Sequence, residues 1–224
     1  MEHDVEGDAQ RIVDTVAGGG IVVFPVDVGY AVVGNREAAI ERIFACKQRS
    51  FEKPCGMFSS WKMFQEISTV GERERRLVDT IIHGHGLPLS VVTPYDEAHP
   101  FFAGLTPLTR SRSSRAGTID MLLNAGRLHD AVARLGYERM TPVLGSSANQ
   151  SLSGSKYRLL DVEAAVREAA ALVVDYGATK YSHPDGMGST IIELPSLRPI
   201  RKGIRFDAIC DIVRDTTGVD PRSL

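Results

Sequence analysis

The sequence predicts a single α/β domain built on a mixed sheet with flanking helices. Three observations carry that reading. Short runs rich in β-branched apolar residues, such as Ile21 to Phe24, alternate with stretches of helical apolar spacing. Two late runs, Ser189 to Leu194 and Leu197 to Arg201, flank Pro195-Ser196 as a hairpin would, so the sheet is mixed rather than purely parallel. No repeat, low-complexity stretch or linker divides the 224 residues, so one domain is expected over 1–224.

Taken in order, Ala9, Ile12, Val13, Val16 and Ala17 recur at helical spacing, and Gly18-Gly19-Gly20 ends that helix. Ile21 to Phe24 reads as a buried strand entering a turn at Pro25. Arg36 to Lys47 is a helix with Ile40, Ile43 and Phe44 inward. Pro54 to Phe58 returns as a strand, and Ser59 or Ser60 caps a helix through Ile67. A helix over Glu72 to Ile82 and a strand over Leu87 to Val92 flank the turn Gly84-His85-Gly86. Thr93 to Ala116 has no clear period and reads as an irregular loop, functional or mobile by its length. Then come a strand from Gly117 to Leu123, a helix from Arg127 to Leu135 and a strand from Pro142 to Ser146. A Ser/Asn/Gly loop follows over Ser147 to Ser155. A helix over Leu159 to Ala171, a strand over Leu172 to Asp175 and a closing helix from Phe206 to Arg214 complete the chain beside the hairpin.

A net charge of -2 argues against a general nucleic-acid coat but leaves room for a local basic groove. The acidic start lacks a secretory pattern, and no apolar run spans a bilayer, so a cytoplasmic protein without a membrane partner is expected. Cys46, Cys55 and Cys210 are odd in number and lack ligand spacing, and the six histidines show none either, so no metal site is expected. No P-loop or Gly-x-Gly-x-x-Gly pattern is present.

Two constellations suit phosphate chemistry. Lys47, Arg49 and Lys53 place three cations within seven residues. Ser147-Ala148-Asn149, with Ser151, Ser153 and Ser155 beyond, offers hydroxyl, amide and backbone donors after a strand. Each alone reads more readily as surface charge or a flexible loop.

In order, these pieces resemble the YrdC-like family, whose main activity is L-threonylcarbamoyladenylate synthesis for tRNA modification. The resemblance covers roughly Ala9 to Ile204. It rests on Lys47-Gln48-Arg49 with Lys53-Pro54, on Pro88-Leu89-Ser90-Val91-Val92, on Ser147-Ala148-Asn149, on Ser189-Thr190-Ile191-Ile192 and on Leu197-Arg198-Pro199. It implies a twisted sheet around a central basic cavity and a reaction of ATP, bicarbonate and an amino acid, with Mg²⁺, giving a carbamoyl-adenylate and pyrophosphate. By position it implies Lys47 and Arg49 as catalytic. Arg49, Lys53, Thr118, Ser147, Asn149, Ser155 and Arg198 would bind ATP. Val26, Tyr30, Phe58, Leu122, Gly145 and Ser189 would line the acceptor pocket.

The departures fall at that pocket. Val26 stands where the family has threonine, Phe58 where many members have histidine, and Leu122 where an arginine would hold the substrate carboxylate. Losing one partner of such a buried pair costs on the order of 2–5 kcal/mol. Arg110, Arg112 and Arg115 are candidates to replace that arginine. The resemblance thus implies a family enzyme with a changed amine or amino-acid acceptor, tRNA as a possible partner and an enzyme downstream to receive the unstable adenylate. The alternative is a non-catalytic module that binds nucleotide or double-stranded RNA through the basic cavity.

Overall fold

The computed structural model describes residues 3–48, 50 and 53–224. A ten-stranded mixed sheet organises them. The chain opens with helix α1 (Val5–Ala17), which is capped by the Asp4 carboxylate accepting the Gly7 amide and whose Ile12, Val13 and Val16 are buried. Strands β1 (Val22–Val26) and β2 (Gly29–Gly34) form an antiparallel hairpin. Helix α2 (Glu37–Cys46), strand β3 (Gly56–Phe58), helix α3 (Trp61–Ile67) and helix α4 (Glu72–Asp79) follow. Strand β4 (Leu89–Pro94), helix α5 (Pro107–Ser111), strand β5 (Ser114–Arg115) and strand β6 (Thr118–Leu123) come next. The chain continues with helix α6 (Arg127–Glu138), strand β7 (Leu144–Ser147), helix α7 (Ala164–Ala169) and strand β8 (Leu172–Val173). The hairpin strands β9 (Ile191–Glu193) and β10 (Pro199–Arg201) precede the last long helix, α8 (Phe206–Thr217).

Across the sheet the order is β10-β9-β4-β6-β3-β7-β2-β1-β8, with β5 attached to β6. The pairs β1–β8, β3–β6 and β4–β9 are parallel and the rest antiparallel, as the late hairpin required. Alternation along β6 sorts its side chains: Ile119, Met121 and Leu123 are buried in the cluster that holds α2, α3, α4 and α8. Thr118, Asp120 and Leu122 are half-buried on the other face, where α1 and α6 pack over Phe24, Phe58 and Val33.

The structure departs from the expected elements in four places. Pro25 does not begin a turn. It lies within β1 opposite Tyr30, beyond the two residues that β8 pairs, so its missing N–H costs no ladder bond there. The turn falls at Asp27-Val28, Gly29 takes a φ of 135°, and β2, absent from the sequence reading, returns beside β1. The expected helix from Glu72 ends at Asp79 and runs into a π-helical turn, Thr80–Gly84. The expected helix from Leu159 is broken, because Val162 and Glu163 are extended before α7 begins.

The Thr93 to Ala116 segment is ordered by its own side chains rather than irregular. Thr106 caps α5 with Pro107 at its first position. The Arg110 guanidinium donates to the carbonyls of Glu97 (3.0 Å) and Phe102 (2.6 Å) and lies over the Phe102 ring. Satisfying those carbonyls from a distant side chain leaves no sequence period to detect.

Candidate functional site

Lys47 caps α2 and is 1% exposed, so its ammonium must find acceptors inside the protein. Its Nζ donates to the carbonyl oxygens of Ser147 and Asn149 and reaches Asn149 Oδ1 at 3.5 Å. The Lys47 carbonyl accepts the amide of Ser151 at 2.9 Å. One residue at the end of α2 thus fixes the course of the chain where β7 ends. Asn149 is 5% exposed and its Nδ2 donates to the Gln150 carbonyl at 2.6 Å.

Glu163 holds the far side of the same loop. Its carboxylate accepts from the Gln150 amide (3.2 Å) and the Ser153 hydroxyl (2.9 Å) and pairs with Lys156 (3.2 Å). Burial pulls this carboxyl upward, but the backbone amides of Glu163 and Gln150, Ser153 and Lys156 outweigh it and hold it below its ordinary range. The loop then crosses a second one. Ser155 donates its amide to the Gly186 carbonyl at 2.7 Å, and a Cβ on Gly186 would lie 2.7 Å from the Gly154 Cα. A Cβ on Gly188 would meet Ser155 Oγ at 3.1 Å and Arg201 Nη2 at 3.2 Å, so these two groups converge on one bare backbone position.

Arg201, which the sequence reading did not name as a site residue, lies against Ser189. Its Nε donates to the Ser189 carbonyl and its Nη2 to the Ser189 hydroxyl, both at 2.9 Å. Ser189 Oγ in turn lies 2.9 Å from Ser90 Oγ, and Ser90 faces Leu122 across β4 and β6. Arg198 stands apart from this chain of contacts. It pairs with Glu193 at 3.2 Å on the exposed side of the β9–β10 turn, and the structure does not bring it to Ser155 or Ser147.

Among the other expected site residues, Arg49 lies outside the described residues. Lys53 is exposed ahead of β3. Thr118 opens β6 with its hydroxyl donating to the Arg115 carbonyl at 2.7 Å. Asp120 stands on the same face, close against Gly56. Gly145 is packed so tightly that a Cβ there would lie 2.1 Å from the Val32 carbonyl oxygen.

The end expected to take the acceptor is apolar. Val26 and Phe58 are buried, and Phe58 pairs in register with half-buried Leu122. The Phe58 ring lies 5.4 Å from Phe24 and 5.2 Å from His129. Tyr30 does not join this end. Its side chain enters the opposite cluster, and its hydroxyl donates to Asp175 and the Gly177 carbonyl. Burial, and then Asp175, push its phenol well above the ordinary value.

None of the three arginines proposed to replace the missing one reaches Leu122 by these placements. Arg110 is committed to Glu97 and Phe102, and Arg112 lies over the Phe44 ring. Arg115 pairs with Thr118, at the other end of β6, about 13 Å along the strand from Leu122.

No helix among the described residues is long and apolar enough to cross a membrane. No group of three or more His, Cys, Asp and Glu among them could hold a metal ion. A groove of about 780 Å³ outside α3 and α6 sets Lys62, Arg127 and Arg134 against Asp4, Glu6 and Asp130, a mixture that selects no ligand class.

Residues 14–203 match the Sua5/YciO/YrdC family, described as Telomere recombination. No curated protein matches the chain. Among solved structures, P. abyssi Sua5 complexed with L-threonine is 21% identical with a TM-score of 0.71, over 97% of this chain and 59% of that one. A hypothetical protein from Streptococcus mutans UA159 is 18% identical with a TM-score of 0.73, over 94% and 92%. E. coli YciO is 19% identical with a TM-score of 0.67, over 89% and 90%. At these identities the likeness is one of fold. This chain spans somewhat under two thirds of the P. abyssi protein.

Proposed function

The chain belongs to the Sua5/YciO/YrdC family, and on that premise we propose that it binds ATP and forms a carbamoyl-adenylate from bicarbonate and a small amine or amino acid. The observation that carries this reading is the braced polar loop, in which Lys47 holds Ser147 and Asn149 and the chain then runs on to Ser155, which converges with Arg201 on Gly188. A preorganised set of donors suits phosphate oxygens because it needs no reorganisation when charge develops.

In the proposed reaction the amine adds to the carbon of bicarbonate, releasing water and leaving a carbamate. A carbamate oxygen attacks the α-phosphate of ATP. The bond from that phosphorus to the β-phosphate bridging oxygen breaks, and pyrophosphate leaves. Arg201, Lys53 and Arg49 are the cations for the triphosphate, and the Ser147 and Ser155 hydroxyls are its neutral donors. Lys47 acts as a positioning residue, since it orders the Ser147 to Asn149 segment. Arg201 takes the part expected of Arg198. Mg²⁺ would arrive held by the triphosphate, which fits a site face where Asp120 is the carboxylate at hand. Proximity supplies the rest, by holding the carbamate in line with the α-phosphate.

The family's tRNA-modification role is the context this activity would serve, with the adenylate passed to a carbamoyl-transfer enzyme. The test is pyrophosphate release from the purified protein with ATP, Mg²⁺ and bicarbonate across a panel of amines that includes L-threonine, with mass detection of the adenylate. Amine-dependent release with a matching adenylate is the expected result. Salt-sensitive binding of double-stranded RNA without release under any mixture would sink the catalytic reading and leave the binding module.

A further inference from the structure

Strand β8 lies at one edge of the sheet and β9 is second from the other edge, so residues 174–190 run back across the sheet as a strap. They do so on the face that α1 and α6 cover, where Tyr176, Tyr181 and Met187 pack against the cluster that contains Phe58. Residues 174–188 form neither helix nor strand. A segment of that length is uncommon inside a compact domain unless it serves as a lid or a binding loop.

Both ends of the strap are pinned. The Val174 amide donates to the Val23 carbonyl at 2.9 Å, and the Gly177 carbonyl accepts the Tyr30 hydroxyl at 2.9 Å. At the far end the Gly186 carbonyl accepts the Ser155 amide at 2.7 Å, and the Gly188 carbonyl accepts the Ile204 amide at 2.8 Å. The middle is held lightly. Among the described residues, the backbone of 178–185 makes two hydrogen bonds to backbone outside the strap. They run from Thr179 to the Tyr157 carbonyl and from Tyr181 to the Asp27 carbonyl, both at 2.9 Å. Side chains add the Lys180–Asp27 ion pair at 3.4 Å and the Arg205 guanidinium over the Tyr181 ring. The Lys180 side chain is 58% exposed, and a pair so exposed contributes little. Gly177 and Gly186 bracket this stretch with φ of 78° and 65°, a conformation that glycine enters without strain.

The lightly held stretch lies over space. Ala178, Thr179 and Lys180 line a cavity of about 380 Å³ together with Val26, Asp27 and Gly126. Val26 also belongs to the end expected to take the acceptor, and it is 7% exposed. Asp27, the next residue, fastens the strap through both its carboxylate and its carbonyl. The fastening is therefore at the edge of the cavity itself.

We propose that residues 178–185 are a gate over this cavity. Lys180 and Tyr181 let go of Asp27, the stretch swings about Gly177 and Gly186, and the pinned ends stay in place. That the gate admits the acceptor amine rests on the function proposed above; the gate itself does not. A closing strap suits that chemistry, because a carbamate and an adenylate are both lost to water.

Hydrogen exchange read by NMR in the full chain tests the hinge. The Thr179 and Tyr181 amides should exchange faster than those of Val174 and Ser155. Lys180→Met should speed the first pair about three- to fivefold, the change an exposed ion pair can supply, and leave the second pair unmoved. Thiol labelling tests the cover. Val26→Cys places a thiol on the cavity wall, and peptide mapping separates it from Cys46, Cys55 and Cys210. Lys180→Met should speed its labelling by a similar factor. Exchange that rises equally at all four amides, or labelling unchanged by Lys180→Met, would overturn the gate. The exchange measurement needs no cysteine and decides the matter if Val26→Cys does not fold. Amine-dependent pyrophosphate release with an unmoved strap would overturn the gate and leave the proposed function. A strap that opens in this way, with no release under any mixture, would do the reverse.

Discussion

At one end of the site face, Lys47, Asn149 and Glu163 hold a loop through hydrogen bonds to backbone atoms. At the other, Val26, Phe24 and Phe58 fill space, and Leu122 pairs beside them. The first arrangement depends on the identity of each residue, because a carbonyl or amide left without its partner costs about 1–3 kcal/mol. The second depends on volume and shape, which apolar residues of similar size satisfy interchangeably. The polar corner therefore tolerates few exchanges, while the packed end tolerates apolar residues of similar size without endangering the fold.

The sharpest way to break the comparison is to treat a polar residue as if it were packing. Lys47→Met keeps the volume but strips the ammonium from the Ser147 and Asn149 carbonyls. We expect ATP affinity to fall at least 100-fold and stability by about 2–4 kcal/mol, read by calorimetry and urea unfolding. An unchanged ATP affinity would remove Lys47 from the site.

A smaller effect separates two arginines. Arg201→Ala should weaken ATP binding at least tenfold, about 1.4 kcal/mol. Arg198→Ala, which breaks an exposed pair with Glu193, should change it less than twofold. The reverse order, in the same titration, would restore Arg198 as the site residue.

The packed end should yield to redesign. Leu122→Arg with Val26→Thr should raise threonine affinity several-fold, measured against the parent with ATP present. No gain would mean that the acceptor end has been rebuilt around other groups.

The smallest effect concerns the loop anchor and its dependence on pH. Glu163 is held below its ordinary value of 4.5, so the folded loop favours the ionised form. Its contribution is complete above that value and is lost as pH falls through the lower folded one. Limited proteolysis within 150–156 should accelerate in that acid range, and Glu163→Gln should show the faster cleavage at neutral pH. Equal cleavage of both proteins at neutral pH would count against the anchor.

Most strands and helices were legible because their apolar periods are local. Ser60 capping α3 and the β9–β10 hairpin appear where turn and cap chemistry placed them. Strand β2 was hidden because Gly29 to Gly34 is buried throughout, which leaves no alternation to read. The segment around α5 was hidden because Arg110 stabilises it through the Glu97 and Phe102 carbonyls, contacts thirteen and eight residues apart that follow no helical or strand period.

By itself the sequence determined the α/β class, the family, and the coincidence of a Lys47 cluster with a Ser147 loop. Those depend on residue identity along the chain. Only the tertiary structure decided that Lys47 points into the protein as a brace, that Arg201 rather than Arg198 bonds Ser189, and that His129 lies beside Phe58. Each of those depends on which face of a strand a residue occupies and on which distant backbone atoms need a partner. A side chain's reach across a sheet is set by register and burial, and neither is written at a single position.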